Sequence, residues 1–387
     1  MGDSNLVVLH ISQREVSASS QPVARSLRAT IDACVHALHQ KPETSAEQAS
    51  AVASFGSAAV QLYRWLIPSS VATLPSNSEL LLVPDGQLQY LPFEALISSP
   101  NSSAQTFADF DYLAFQHQLH YGLSAAHLIN KAKHSQQPAQ VLGVGLSFNT
   151  QAVTADATRA QLGALPYAEQ ELALLQQHTG ATLVQNAAAT VSAIHKAASG
   201  YDLLHIATHT LLNDTTPALS RMVLHPDSGN DGYLYAYQIQ AMRLKAQLAV
   251  LSSCATGQGA LLRGEGVQSM ARSFAMAGCP SVVMSLWEVA DEATYTLMSS
   301  FYEALANGQP AAKALNQAQQ HVAHHPDHPE WANPHYWAPF VHLGPSSSFE
   351  LPVQTPFWWW IVLFFVALVL APVFYFLKRS ARKHSIS

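Results

Sequence analysis

The chain has 387 residues, of which 49% are hydrophobic and only 11% are Asp, Glu, Lys or Arg, with a formal net charge of −6; an ordinary globular chain carries about 25% charged residues. This balance excludes intrinsic disorder, which needs low hydrophobicity and high charge, and with no basic cluster before residue 378 it also excludes a polybasic nucleic-acid binder. Three cysteines, Cys34, Cys254 and Cys279, are too few for a disulfide scaffold and point to a reducing compartment.

The chain opens without a basic region followed by an apolar stretch, so no signal peptide is expected. Short apolar runs then follow at 6–11, 80–84, 141–146, 203–208, 248–253 and 281–287. Amphipathic stretches lie among them at 22–39, 46–66, 166–178, 188–198, 265–277, 290–306 and 310–323. Apolar runs alternating with helical patterns predict an α/β fold with a mainly parallel sheet covered on both faces. A boundary is expected near 132–139, giving an N-terminal helical and β part (1–135) and an α/β unit (136–345). A Pro- and Ser-rich linker (346–356) follows.

Two strand ends carry reactive side chains. The run 203–208 leads into His209, and the run 248–253 leads into Cys254 and the glycine-containing loop of Gly257 and Gly259. In open α/β sheets, reactive groups gather at the carboxyl ends of strands. If these two strands are neighbours, His209 and Cys254 face each other across one sheet edge. A thiol beside an imidazole gives a thiolate nucleophile, and the histidine later acts as general acid to the leaving amine. Backbone N–H groups after Cys254 would bind the oxyanion. A cysteine in an apolar strand is more often plain packing, so the pairing of the two strand ends carries the weight.

At 321–328 the pattern H-x2-H-H-x2-H invites a metal, but Pro326 and Pro329 interrupt any helix and no cysteine or paired carboxylate assists. A solvated loop is the expectation there. Residues 145–149 lack the final glycine of a nucleophile elbow, which argues against a serine hydrolase.

Several stretches together resemble the CHAT domain family, caspase-like cysteine peptidases of bacteria that are often attached to TPR repeats. They are LLLVPDGQLQYLPFEAL (80–96), LPYAEQEL (165–172), Ala189-Thr190, LLHIATHT (203–210), LSSCATGQG (251–259), GEGVQSMARSFAMAGCPSVVMSLWEVADEAT (264–294) and HYWAPFVHLG (335–344). The resemblance implies a caspase-haemoglobinase-like three-layer fold and peptide-bond hydrolysis by a Cys/His dyad without a metal or other cofactor. The dyad carries over onto His209 as base and acid and Cys254 as nucleophile. Where the family usually has Gly after its histidine, this chain has Thr210, and where it usually has Glu after its cysteine, this chain has Ala255. Thr210, Ala255 and Gly257 are the expected oxyanion and loop-support positions, with a cost foreseen if Thr210 must adopt positive φ. Arg263 and Glu265 either hold the cysteine loop by a salt bridge or simply place acidic charge at the N-terminus of the following helix. Trp287, Glu288 and Asp291 either border the pocket for the residue before the cleaved bond, where the carboxylates would attract a basic side chain, or are a core tryptophan with solvated carboxylates.

The expected partners are a protein or peptide substrate held along the sheet edge and a regulatory protein, with no nucleic acid. The alternative to an endopeptidase is an inactive CHAT-fold interaction module, motivated by Thr210 and Ala255.

Residues 357–377 contain no charged residue, amide, Ser or Thr, with Trp358, Trp359 and Trp360 at one end and Tyr375 near the other. A basic tail (378–387) follows. This pattern predicts one transmembrane helix and a tail-anchored membrane protein with its domain in the cytoplasm, although the basic tail alone would place that domain on the other side.

Overall fold

The computed structural model describes residues 5–352 except 14, 23, 40–43, 124–137, 148–158, 160, 161, 164, 214 and 253–265. Its centre is an eight-stranded sheet. In chain order the strands of the molecule are β1 (Leu6–Ile11), β2 (Val16–Gln21), β3 (Glu79–Leu82), β4 (Gln118–Tyr121), β5 (Val141–Gly145), β6 (Thr182–Gln185), β7 (Leu203–Ala207), β8 (Thr210–Leu211), β9 (Arg221–Val223), β10 (Tyr233–Tyr235), β11 (Leu248–Leu251), β12 (Val282–Ser285) and β13 (Phe340–Leu343). The central sheet runs in the order β3-β4-β13-β12-β11-β7-β5-β6. β12, β11, β7, β5 and β6 are mutually parallel, and the direction reverses at the antiparallel β12–β13 pair. β13, β4 and β3 are parallel to one another. The chain is therefore a mixed, mostly parallel α/β protein, and one sheet takes strands from both sides of residue 135.

β5, β7, β11, β12 and β13 are buried at every residue, as expected for strands covered on both faces. The helices are α1 (Ala24–His39), α2 (Ser45–Leu66), α3 (Leu113–Gln116), α4 (Ala168–Thr179), α5 (Val191–Ala197), α6 (Ala236–Ala241), α7 (Gly266–Met276), α8 (Asp291–Ala306) and α9 (Ala311–Ala323). α2 starts at a capping box in which Glu47 N donates to Thr44 Oγ1 at 3.2 Å and Thr44 N donates to Glu47 Oε2 at 3.1 Å, satisfying two otherwise orphaned amides. α8 packs against both α4 and α9. An aromatic cluster joins Phe55 of α2 to Tyr112, and Tyr112 meets Trp337 edge-on at 5.0 Å between ring centres. The apolar run 6–11 does not enter the central sheet; it pairs with β2 in a separate antiparallel hairpin that leaves Val7, Leu9 and Ile11 exposed.

No helix of the described structure is long and apolar enough to cross a membrane. This corrects the expectation of a tail-anchored membrane protein with a cytoplasmic domain. The longest described helix, α2, has length enough but carries Glu47, Gln48, Gln61 and Arg64 among its buried apolar positions, the pattern of a helix with one face on a protein core. The segment 357–377, on which the membrane expectation rested, and the tail 378–387 lie outside the described residues.

One buried acid of this framework has a consequence for stability. Glu94 is 2% exposed and accepts from Tyr121 Oη at 2.5 Å, while Tyr121 Oη accepts from Phe93 N at 3.0 Å. Burial pushes the Glu94 carboxyl up from 4.5 to about 8, against the pull of the Tyr121 hydroxyl. The folded form thus binds a proton that the unfolded chain releases, and stability falls as pH rises between those two values. Glu94→Gln should remove part of that fall, on the order of a few kcal/mol between the ends of the window. Urea midpoints across that pH range check it; an unchanged slope would show that Glu94 is ionised in the fold.

Candidate active site

β7 and β11 are hydrogen-bonded neighbours running in the same direction, with register from Leu203↔Leu248 to Ile206↔Leu251. Their carboxyl ends therefore share one edge of the sheet. β5 lies on the other side of β7, in register to Gly145↔Ala207. Helix α4 comes so close to β5 that a Cβ at Gly145 would stand 2.4 Å from Leu172 Cδ1.

Past the end of β7 the chain is gripped by β9. Thr208 Oγ1 donates to the Val223 carbonyl, and Val223 N donates to the His209 carbonyl at 2.9 Å. β8, β9 and β10 form a small antiparallel sheet in the order β10-β9-β8. Thr210 opens β8, and among the described residues positive φ outside glycine is confined to Asn77 and Asn186. Thr210 therefore has ordinary backbone, and the cost foreseen for a threonine at the family's glycine position does not arise.

The His209 side chain is 3% exposed, and its Nε2 lies 2.8 Å from the Gly163 carbonyl oxygen. A carbonyl only accepts, so the ring proton sits on Nε2 and the lone pair on Nδ1. Burial pushes the His209 pKa below the usual imidazole value, opposed by the Gly163 carbonyl and the charge of Glu288. At neutral pH the ring is a neutral base whose basic atom is Nδ1.

Ser252 directly follows β11, and its N–H donates to the Ile206 carbonyl of β7 at 3.1 Å. Cys254, Ala255, Gly257, Arg263 and Glu265 lie outside the described residues. Cys34 and Cys279 are free and buried, and burial pushes each thiol up to about 12.

β12 ends beside this edge. Trp287 is buried, its Nε1 donating to the His335 carbonyl at 3.1 Å while its ring lies over His335. Glu288 is exposed and near enough to His209 to act on its charge. Asp291 starts α8, and burial together with Glu288 raises its carboxyl pKa. Glu288 thus acts on both His209 and Asp291, whereas Trp287 is largely committed to the core.

Glu171, His205 and Tyr302 join the end of β11 through Ser252, and sequence reasoning did not single them out. Ser252 Oγ donates to Glu171 Oε2 at 2.7 Å. Glu171 Oε1 is 3.4 Å from His205 Nε2, and His205 Nδ1 is 2.6 Å from Tyr302 Oη. A signal was present: Glu171 shares with Leu172 and Leu175 the buried stripe of α4, and an acid on an apolar stripe demands a partner. Of the histidines at 321–328, His321 and His324 are exposed, while the half-buried His328 stacks on Trp331 at 3.9 Å between ring centres and 7°. Among the described residues no group of three or more His, Cys, Asp or Glu could hold a metal.

The model of the CHAT domain matches residues 56–345, about three quarters of the chain. The chain is 26% identical over 311 residues to human tetratricopeptide repeat protein 28, and 24% identical over 309 residues to the mouse protein of the same name. In each case 71% of this chain is covered but only 12% of the relative, so the chain spans about an eighth of the length of these curated relatives. Both are mammalian, while the resemblance implied bacterial peptidases. Among solved structures it is similar to the separase–securin complex of Saccharomyces cerevisiae at TM-score 0.42 and 16% identity, covering 70% of this chain and 16% of that one. It is also similar to the Arg-specific cysteine proteinase gingipain R at TM-score 0.42 and 11% identity, covering 86% of this chain and 77% of that one.

Proposed function

Because the chain belongs to the CHAT domain family, we propose that it is a caspase-haemoglobinase-like cysteine endopeptidase in which Cys254 attacks the peptide carbonyl and His209 moves the protons. The observation that carries this reading is the parallel β7–β11 pair, which puts His209 and the strand leading to Cys254 at one sheet edge. Cys34 and Cys279, with thiols pushed up to about 12, supply no thiolate at neutral pH.

In the proposed reaction, His209 Nδ1 takes the thiol proton and the Cys254 sulfur adds to the substrate carbonyl carbon. The carbonyl oxygen becomes an oxyanion, for which the N–H groups of Thr210, Ala255 and Gly257 are the proposed donors. The imidazolium, favoured by the charge of Glu288, returns its proton to the leaving amine as the C–N bond breaks. A thioester remains. Water, deprotonated by the same nitrogen, then adds to the thioester and releases the acid and the thiol. Glu288 and Asp291 would favour a basic side chain before the cleaved bond, and Arg263 with Glu265 would hold the cysteine loop. The substrate is a protein or peptide, and a regulatory protein partner belongs to the same proposal.

The test is hydrolysis of a peptide library by the purified chain. Wild type should cleave after basic residues, and Cys254→Ala should lose at least roughly a thousandfold in kcat/KM, the scale set by removing a nucleophile. Equal cleavage by both proteins, or no reaction of Cys254 with an electrophilic peptide, would overturn the reading.

A further inference from the structure

Four polar side chains from four elements form a buried chain behind the strand ends, and the hydrolytic steps above do not use it. Ser252 at the end of β11 bonds Glu171 of α4, Glu171 faces His205 of β7, and His205 meets Tyr302 of α8. His205 and Tyr302 have no exposure, Glu171 has 4% and Ser252 has 9%. Apolar groups of equal shape would usually be cheaper to bury there, and breaking such a network leaves costly orphaned atoms.

We propose that Glu171 is a positioning residue of the site: its carboxyl holds Ser252, two residues before Cys254, and is braced from behind by His205 and Tyr302, so that it sets where β11 delivers the nucleophile. This rests on the reading of Cys254 as the nucleophile. Ser252 is held twice, by its main chain to Ile206 of β7 and by its side chain to α4. His205 stands on that same β7, four residues before His209. One network therefore references the ends of both strands to the same pair of helices, α4 and α8.

The protons are consistent with this role. Burial pushes Glu171 up to about 8, with Asp291 acting in the same direction and the Ser252 hydroxyl against it. Burial also drives His205 down to about 3. At neutral pH both are therefore uncharged. Glu171 Oε1 and His205 Nε2 stand 3.4 Å apart without a hydrogen bond between them, whereas His205 Nδ1 is bonded to Tyr302 Oη at 2.6 Å. The groups facing Glu171 are Ser252, His205, Tyr302 and, across the start of α8, the Asp291 carboxyl. None is a cation at neutral pH. Ionising Glu171 would tighten its bond from the Ser252 hydroxyl but puts an uncompensated charge in the core next to another acid, so the buried network that references both strand ends must rearrange or admit water.

Three variants test this. Glu171→Gln keeps the shape, a donor and an acceptor but cannot ionise; Ser252→Ala removes the anchored hydroxyl; Glu171→Leu removes the network. In wild type, kcat should fall as pH passes through the Glu171 value, and Glu171→Gln should lose that alkaline limb. Ser252→Ala should lower kcat about tenfold, and Glu171→Leu up to about a hundredfold, with little change in KM, the scale of a displaced catalytic group. An alkaline limb retained in Glu171→Gln, or an unaltered kcat in Ser252→Ala, overturns the proposal. Two readouts stand apart from hydrolysis: the rate at which iodoacetamide alkylates Cys254 against pH, and the protonated-carboxyl infrared band in the wild-type minus Glu171→Gln difference spectrum, in which the band of the buried Glu94 cancels. If the chain cleaves nothing while that band is present and alkylation follows Glu171, the peptidase reading fails and this one stands. If the band is missing at neutral pH, the positioning proposal fails whatever the chain cleaves.

Discussion

His209→Ala is expected to lower kcat/KM roughly a thousandfold or more, the combined loss of general base and general acid in one group. The expected pH dependence follows from the surroundings of the ring. The base works when neutral, and burial lowers its pKa below 6.5, so the acid limb of the wild-type profile should lie below the ordinary imidazole range. Glu288 raises that pKa, and removing its charge with Glu288→Gln should move the acid limb to still lower pH. A profile of kcat/KM against pH measures both. An acid limb unmoved by Glu288→Gln, together with substantial activity in His209→Ala, would place the base elsewhere.

Gly344→Ala is expected to be among the most damaging single-methyl additions in the chain. Gly344 has φ of +94°, and a Cβ there would lie 2.0 Å from the Pro280 carbonyl oxygen and 3.0 Å from Ser281 Cα. Both obstacles are backbone, so no side chain can rotate away. The residue is also tied on both sides: its N–H donates to the Tyr121 carbonyl at 2.6 Å, and its own carbonyl meets His120 Nδ1 at 3.0 Å. Conformational strain and overpacking each cost about 1–3 kcal/mol, so a loss of about 3 kcal/mol or more is expected. Gly308→Ala is the control, because Gly308 has φ of +77° with nothing within 4 Å of a Cβ. It should cost only about 1 kcal/mol, the conformational part alone. Denaturant midpoints of the two variants separate clash from strain, and equal losses would mean that β13 can shift away from Pro280.

The elements read best from the sequence are those whose environment is uniform along their length. The runs 203–208 and 248–253 appear in the structure as β7 and β11 because a strand covered on both faces is apolar throughout, a property visible without knowing its neighbours. β4 reads Gln-Leu-His-Tyr and escaped notice, since its polar residues are satisfied by distant partners such as Gly344, 224 residues from His120. The opposite error arose at 6–11, where an apolar run was read as part of the main sheet. A run has no information about its partner, and β1 found only β2. The membrane expectation came from the same kind of local reading and is not supported by the described helices.

The same division runs through the site. Membership of the CHAT family, the alternation of strands and helices, and the choice of His209 and Cys254 as candidates all came from short stretches of sequence, because side-chain periodicity and motif spacing are local properties. Tertiary structure decided that β7 and β11 are neighbours, that His209 carries its proton on Nε2, and that Thr210 needs no unusual backbone. It also placed Glu171 against Ser252, 81 residues away, inside a core that keeps the acid neutral. Strand pairing, desolvation and the choice of tautomer depend on groups far apart in the chain, and only folding sets the distances between them.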